Sequence, residues 1–579
     1  MTEENKDKRI AIVLDDVVYS APNVMGKISG GQSSITGDFT VEESQDLANI
    51  LKSGKLPAPL RIVEEAIVGP SLGEESISLG LWSIVVGIGL VIVFMGFYYS
   101  SSGLVANLAL ILNVFFIFGV LVPLGAVLTL PGIAGIVLTI GMAVDANVLI
   151  FERIREELRN GLQLKQAISL GYGKALSSII DANVTTFLTG LILFVFGSGA
   201  VKGFATVLMV GIACSLFSAV VISRIVVESL AKDVNKPKVS FKSALTKAVR
   251  GFFEENNFQF IKHRKKAYVF SALMIALGIT SIVLQGGMNL GVDFSGGRSY
   301  VVEFNSPMAA NEVRNTLESS FENKGTEVKT FGANNKLKIT TSYLINEESQ
   351  EADEQVRKAL STGLEKYSKE EPEVLSSTKV GATVADDIRN SSLLAGIFSV
   401  IVIFIYILVR FRQWQYGLGA IAALVHDILM VLSLYSIANL LGLSLEVDQV
   451  FVAAVLTIIG YSINDTVVVF DRIREFSGRF SKQDLSITLN NALNQTLSRT
   501  IITAVTTFIV VVVLLLAGGE VLRGFSFALF IGVIFGTYSS LFVASPIVLD
   551  LAKKQLEKAQ KGAAQKAKAS EKKIELEKS

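Results

Sequence analysis

The chain of 579 residues has one cysteine, Cys214, and only two histidines, His263 and His426, far apart in the sequence. A single thiol excludes a disulfide framework or a thiolate cluster. Two separated imidazoles do not supply a metal site, so no metal or cofactor is expected. There is no Walker A pattern, which argues against ATP bound by this chain as an energy source. Charge is sparse too. Asp, Glu, Lys and Arg make up 18% of residues, and their signs nearly cancel to a net +1, a balance that says nothing of nucleic acid; no nucleic-acid partner is expected.

Apolar residues are what the sequence has in abundance. Half of it is hydrophobic, and the mean hydropathy is +0.51. Charges cluster between long apolar runs, the pattern of a polytopic α-helical membrane protein. Eleven segments are long enough to cross a core of about 30 Å at about 1.5 Å per residue. They lie near 77–98, 103–123, 131–151, 176–197, 203–228, 267–286, 391–409, 415–440, 447–470, 500–517 and 524–549.

Two stretches outside these runs have the character of folded domains. Residues 1–76 contain strand and turn patterns ("AIVLDDVVYSAP", "ISGGQSSITGDF") and then a helix pattern ("TVEESQDLANILKSG"). Residues 287–388 alternate strand-like runs ("RSYVVEF", "KLKITTSYLI") with two helix-like runs, an α+β pattern. The glycines of "DFSGG" should let the chain turn from helix into strand.

The loops at 152–175 and 471–499 are rich in Arg and Lys, whereas 124–130 and 441–446 have neither. The basic loops are therefore expected in the cytoplasm, with residues 1–76 and 287–388 both outside. Nothing in "MTEENKDKRI" resembles a secretion signal. The expectation is that a helix and part of an outer domain precede this sequence in the native protein.

The chain repeats itself. "LSSIIDANVTTFL" (176–188) matches "LSRTIITAVTTFI" (497–509), "KGFA" (202–205) matches "RGFS" (523–526), and "VLIFERIREE" matches "VVVFDRIREF". These matches predict two pseudo-symmetric bundles of five and six helices about an axis along the membrane normal, with function at their interface. The repeat breaks at charged positions. Asp145 aligns with Asn464, Asp465 with Ala146, Arg499 with Ser178 and Asp181 with Ile502. Apolar positions follow the repeat and these charges do not, which suggests a charge-handling site shared between the halves.

Asp145 and Asp465 are the principal candidates, because a carboxylate at that depth costs roughly 2.5–3.5 kcal/mol on insertion scales and usually serves a function. Gly141, one turn before Asp145, should admit a close helix. Arg499 opens the apolar run at 500–517. It can be read as an anchor at the membrane surface or as the partner of Asp465. Asp181, Asn464 and Asn147 are candidates for a hydrated path. His426, beside Asp427, is expected to be bonded within the bundle, and Cys214 to be a packing residue. Glu152/Arg153 and Asp471/Arg472 are expected to close helix ends as surface ion pairs. The Ala/Lys-rich C-terminal stretch reads as a solvated tail with weak attraction to anionic lipid or ribosome.

The motifs "SAPNVMGKISGGQSSITGDFT", "GKLPAPL", "VGPSLGEESI", "GMAVDANVLIFERIREEL", "LGVDFSGG", "GYSINDTVVVFDRIRE" and "NQTLSRTIITAVTT" resemble those of the fused SecDF family, within the resistance–nodulation–division (RND) superfamily. The resemblance implies two RND-type bundles with small extracytoplasmic α+β domains. Residues 1–76 would be a remnant of the first periplasmic domain without its head, and 77–228 the first bundle. A cytoplasmic linker (229–266) and an opening helix (267–286) would follow. The second periplasmic domain (287–388), second bundle (389–551) and basic tail (552–579) would complete the chain. It also implies that Asp145, Asp465 and Arg499 form an ion path driven by the proton motive force or a sodium gradient. The expected function is a non-enzymatic role in late protein export across the bacterial inner membrane. The expected partners are the SecYEG channel, the translocating preprotein, YajC and YidC. Two alternatives remain open: a small-molecule or lipid exporter of the same superfamily, and a passive assembly module of the translocon.

Overall fold

A computed structural model describes residues 2–233, 237–241, 257–479 and 484–555, apart from 15, 16, 29, 31, 32, 54–61, 63, 348 and 368–371. Residues 234–236 and 242–256 of the linker and the basic tail beyond 555 thus lie outside the described residues. The chain forms two compact units: residues 1–63 with 347–354, and the remainder.

In the first unit, β1 (Ile12–Leu14) and β2 (Val17–Ser20) form an antiparallel pair. Helix α1 (Val41–Ser53) starts in a capping box. The Glu43 backbone N–H donates to Thr40 Oγ1 at 3.2 Å, and the Thr40 N–H donates to Glu43 Oε2 at 2.9 Å.

The second unit contains eleven membrane-length helical spans among the described residues. The first half has α2 (Pro70–Tyr99), α3 (Ser101–Leu121), α4 (Leu130–Ala143) running into α5 (Asp145–Arg159), and α6 (Leu164–Phe196). Its last span joins α7 (Gly199–Phe217) to α8 (Ser223–Leu230) through a π-helical turn, Ser218–Ile222. The second half opens with α9 (Phe260–Leu284). The α+β region follows, with helices α10 (Ala310–Ser320) and α11 (Gln350–Leu364). Then come α12 (Ala382–Phe411), α13 (Trp414–Leu440), α14 (Gln449–Arg479), α15 (Leu485–Ala517) and α16 (Glu520–Ser539). A π-helical turn at Ser540–Ala544 ends α16, at the place in the repeat where Ser218–Ile222 ends α7.

Several helices outrun their apolar windows. The first turns of α6 and α15 are polar in part, yet Ala167, Ile168 and Tyr172 in one and Leu489, Ala492 and Leu493 in the other are buried. Packing carries the helix past the point where hydropathy stops. Arg499 consequently lies about halfway along α15, well away from its start.

The sheet has strand order β3-β7-β4-β6-β5, antiparallel throughout, with β3 (Glu64–Val68), β4 (Gly297–Glu303), β5 (Thr326–Phe331), β6 (Ala333–Thr341) and β7 (Glu373–Val380). Tyr300, Val302 and Phe304 alternate onto one face with Leu337 and Ile339, and pack on Val313, Leu317, Val356 and Leu360 of the two helices. Val301 and Leu375 face the other way, onto Leu72 at the start of α2. Gly296 and Gly297 have φ of +69° and +112°, which allows the turn from helix into β4.

One strand departs from the boundaries read in the sequence. Glu64–Val68 leaves the 1–76 stretch and pairs with β7, from Glu64↔Val380 to Val68↔Ser376. The run is short and flanked by residues without alternation, so hydropathy gave no hint of its partner. Gly69 then turns the chain into α2. Its N–H donates to Leu375 O at 2.7 Å, and a β-carbon there would lie 2.8 Å from that oxygen.

Candidate functional site

The two halves meet along a seam of glycine and threonine. A β-carbon on Gly141 of α4 would lie 3.0 Å from Cα of Thr507 on α15. In the repeat, Gly460 of α14 holds the equivalent place. A β-carbon there would lie 3.3 Å from Cα of Thr186 on α6 and 2.5 Å from Thr189 Oγ1. Thr186 Oγ1 also donates to Gly460 O at 3.1 Å. Small residues bring the backbones together, as expected where lipid offers helices no hydrophobic drive to associate.

The charged residues lie just beyond this contact. Asp145, Asp465 and Arg499 are only 7%, 5% and 7% exposed. Asp145 is the first residue of α5, after a one-residue break at Val144, whereas α14 runs unbroken through Asp465. The Arg499 guanidinium interacts electrostatically with both carboxylates. The packing nevertheless leaves polar atoms unsatisfied. Asp145 Oδ1, Asp465 Oδ2, Asn464 Oδ1, Arg499 Nε and Nη1, Tyr461 OH and Thr507 Oγ1 are buried without a hydrogen-bond partner among the described residues. An unsatisfied buried polar atom typically costs about 1–3 kcal/mol. Such a cluster is costly as architecture, and it is well suited to taking up and releasing a proton.

Two cavities meet at Arg499. A small one, about 30 Å³, is lined by Asp145, Asn464, Thr186, Ser215 and Arg499. A larger one, about 370 Å³, is lined by Arg153, Glu156, Arg472, Gln495, Ser498 and Arg499. The larger belongs to the end of the bundle that carries the basic loops. Arg153, Glu156 and Arg472 line it, and together with Glu475 they form a ring with the symmetry of the repeat. Within each half, Arg153 pairs with Glu156 (2.9 Å) and Arg472 with Glu475 (2.7 Å). Across the seam, Arg153 pairs with Glu475 (3.2 Å) and Arg472 with Glu156 (2.5 Å). This corrects the expected surface pairs between neighbours. Adjacent helical residues point about 100° apart, and ion pairs form between residues three or four apart. Glu152 instead pairs with Arg155, and Asp471 with Arg474.

The remaining candidates separate. Asn464 lines the small cavity. Asn147 is buried, its Oδ1 unpartnered among the described residues, but it lines neither cavity. Asp181 is engaged elsewhere: Arg410 Nε donates to Oδ2 at 2.5 Å and Tyr406 OH to Oδ1 at 2.7 Å, tying α6 to α12. His426 is bonded within the bundle as expected, to Asp427 Oδ1 (2.8 Å) and Ser271 Oγ (2.9 Å). Cys214 is buried. Sequence reasoning missed Tyr461, Thr186 and Thr507. The threonines had a signal, since "VTTF" occurs in both halves, but a repeated polar pair was read only as a marker of the repeat.

Residues 51–233 and 360–554 match the family profile for the protein export membrane protein SecD/SecF, C-terminal. Residues 282–308 match the SecD/SecF GG motif, and 1–58 match the SecDF P1 head subdomain. The last match corrects the expectation that the head is missing: the short strands and α1 are similar to the head itself. Their strand-and-turn composition was equally compatible with a remnant of the surrounding domain. The chain is 34% identical to the protein translocase subunit SecDF of Brucella abortus, over 96% of this chain and 71% of that one. It is 36% identical to SecDF of Thermus thermophilus, over 95% and 72%. A crystal structure of Thermus SecDF, described as a translocon-associated membrane protein, superposes with a TM-score of 0.78 at 36% identity, covering 95% of this chain and 73% of that one. A super-membrane-facing form of SecDF superposes at 0.68, covering 97% and 73%.

Proposed function

The chain belongs to the SecDF family of protein translocase subunits, multi-pass membrane proteins with an accessory role in Sec export, and we propose that it uses an ion gradient to promote that export. In this reading the basic-loop face is cytoplasmic, and the sheet and residues 1–63 are extracytoplasmic. The partners are the SecYEG channel and the emerging preprotein, with YajC and YidC alongside. The ion is a proton that visits Asp465 and Asp145.

One observation supports this reading above the others: Arg499 lines both the wide cavity at the basic face and the small cavity that reaches Asp145. A proton running down the gradient meets the carboxylates first and passes the guanidinium on its way out through the vestibule. Burial disfavours a charged carboxylate, and a neighbouring arginine favours it. Protonation would cancel the attraction that draws Arg499 towards Asp465, and the seam that holds α15 against α4 could then shift. Each charge crossing the membrane field contributes about 2.3 kcal/mol per 100 mV, enough to bias such a shift. A proton suits the site better than sodium. A metal cation needs a shell of several oxygens, and here a guanidinium stands among the carboxylates.

In reconstituted vesicles, an imposed potential should drive proton uptake through the wild-type protein, and Arg499→Gln should reduce it to the level of empty vesicles. A wild-type protein that passes no protons under any gradient would remove the reading.

A further inference from the structure

Two strands of the sheet continue directly into membrane helices, and a third follows one. β3 passes through Gly69 into α2, β7 passes through Gly381 into α12, and α9 leads through residues 285–296 into β4. Helix α14, which carries Asp465, has no strand of its own. Its N-terminus is held to the sheet only by non-covalent contacts, and these converge on the "DFSGG" turn.

Asn289 O accepts from Val447 N at 2.7 Å, and Gly291 N donates to Val447 O at 2.9 Å, so the two segments form a short parallel bridge. Asn289 Nδ2 donates to Leu445 O at 2.7 Å. Asp293 Oδ2 accepts from the backbone N–H of Gln449, the first residue of α14, at 2.9 Å. Asp448 Oδ1 accepts from Phe451 N at 2.7 Å. From β6, Lys338 Nζ pairs with Glu446 Oε2 at 2.5 Å. Below the turn, Val292 and Phe294 pack with Val380, Ala385 and Ile388, at the passage from β7 into α12. Asp293 is four residues from Gly297, where β4 begins. It binds an otherwise unpartnered N–H at the positive end of the α14 dipole, an interaction that is strong, directional and lost if the helix moves alone.

We propose that Asp293 is a positioning residue that couples the ion site to the outer sheet: its bond to the first turn of α14 makes β4 follow the helix that carries Asp465. The inference rests on the gradient-driven reading above. A displacement of α14 along its axis pulls on the Asp293 carboxylate and on the 289–291 bridge, and both are continuous with β4. Asp293 itself handles no proton in this scheme.

The test measures proton flux and export on the same membranes, with the whole chain and its translocon present. Asp293→Ala removes the acceptor. It should leave flux within about twofold of wild type while lowering export per proton by about tenfold, the effect of losing one hydrogen bond to a charged group. Asp293→Asn keeps an acceptor oxygen in the same place and should restore at least about half of that export. A merely structural role would lose flux and export in proportion. That outcome overturns the proposal, as does wild-type export from Asp293→Ala or an Asn variant as impaired as the Ala variant. Absence of gradient-dependent flux in the wild type would instead overturn the functional reading, and with it this inference.

Discussion

Gly141 and Thr507 belong to opposite halves of the protein, yet a β-carbon on the glycine would lie 3.0 Å from the threonine's Cα. The repeat makes the same contact a second time, between Gly460 and Thr186. Overpacking a tight contact typically costs about 1–3 kcal/mol. Gly141→Val and Gly460→Val should each lower the apparent unfolding midpoint in detergent by several degrees, and should slow export more than Gly89→Val, which has open space around it. Equal effects at the three positions would show that the seam is not close-packed.

The four charges of the Arg153–Glu156–Arg472–Glu475 ring back one another up. Glu156→Gln leaves both arginines in contact with Glu475, and Glu475→Gln leaves both with Glu156. Either single change should therefore cost less than about 1 kcal/mol. The double change leaves two arginines, 13% and 6% exposed at the side chain, without a carboxylate partner in the ring. Its loss of thermal stability should clearly exceed the sum of the two single losses. Additive losses would mean that the ring does not act as a unit.

Outside the spans, the sheet junction should respond to pH. Burial, reinforced by the nearby Asp293 charge, raises the Asp448 carboxyl to about 7. Burial raises Asp293 as well, against the hydrogen bond from Gln449. A carboxyl raised in the folded protein binds protons that the unfolded chain releases, so its contribution is full below the ordinary carboxylate range and is lost as pH rises towards 7. The junction should exchange its amide hydrogens more slowly at pH 5 than at pH 8, after correction for intrinsic rates. Asp448→Asn, which can still cap α14, should narrow that difference. An unchanged difference would remove Asp448 as its source.

Asp181 separates a structural acid from a working one. Its carboxylate is held by Arg410 and Tyr406. Asp181→Asn keeps an acceptor and leaves Arg410 with Asp471, 3.8 Å away. Proton flux should stay near wild type, with a modest loss of thermal stability. If flux disappears, Asp181 belongs to the path.

Much of this arrangement was legible in the sequence, because the repeat is written in apolar and small residues. The eleven spans, the place of Gly141 on a close contact and the turn at "DFSGG" all follow from local composition. The break in the repeat at Asp145, Asp465 and Arg499 picked out the residues that the fold buries at the seam. Local pattern could not show partners. Whether Asp181 faces a path or an arginine on α12 depends on a helix more than 200 residues away. That Arg153 reaches Glu475 depends on the two halves docking. The helical extension through Leu485–Arg499 was invisible to hydropathy, and so Arg499 looked like a residue at the membrane edge. The edge strand Glu64–Val68 had no signal beyond its own five residues, and its partner β7 lies more than 300 residues on.

The central claim is that Asp465 is buried in order to be protonated. Asp465→Asn keeps the shape and most of the hydrogen-bonding capacity and removes the titratable charge. The most direct measurement is proton flux and preprotein export on the same inverted membrane vesicles, wild type against Asp465→Asn, at equal amounts of folded protein. The account predicts that both fall together to the level of vesicles lacking the protein, while the variant stays in the membrane with an unfolding midpoint close to wild type. A folded Asp465→Asn protein that still couples export to the gradient would contradict it.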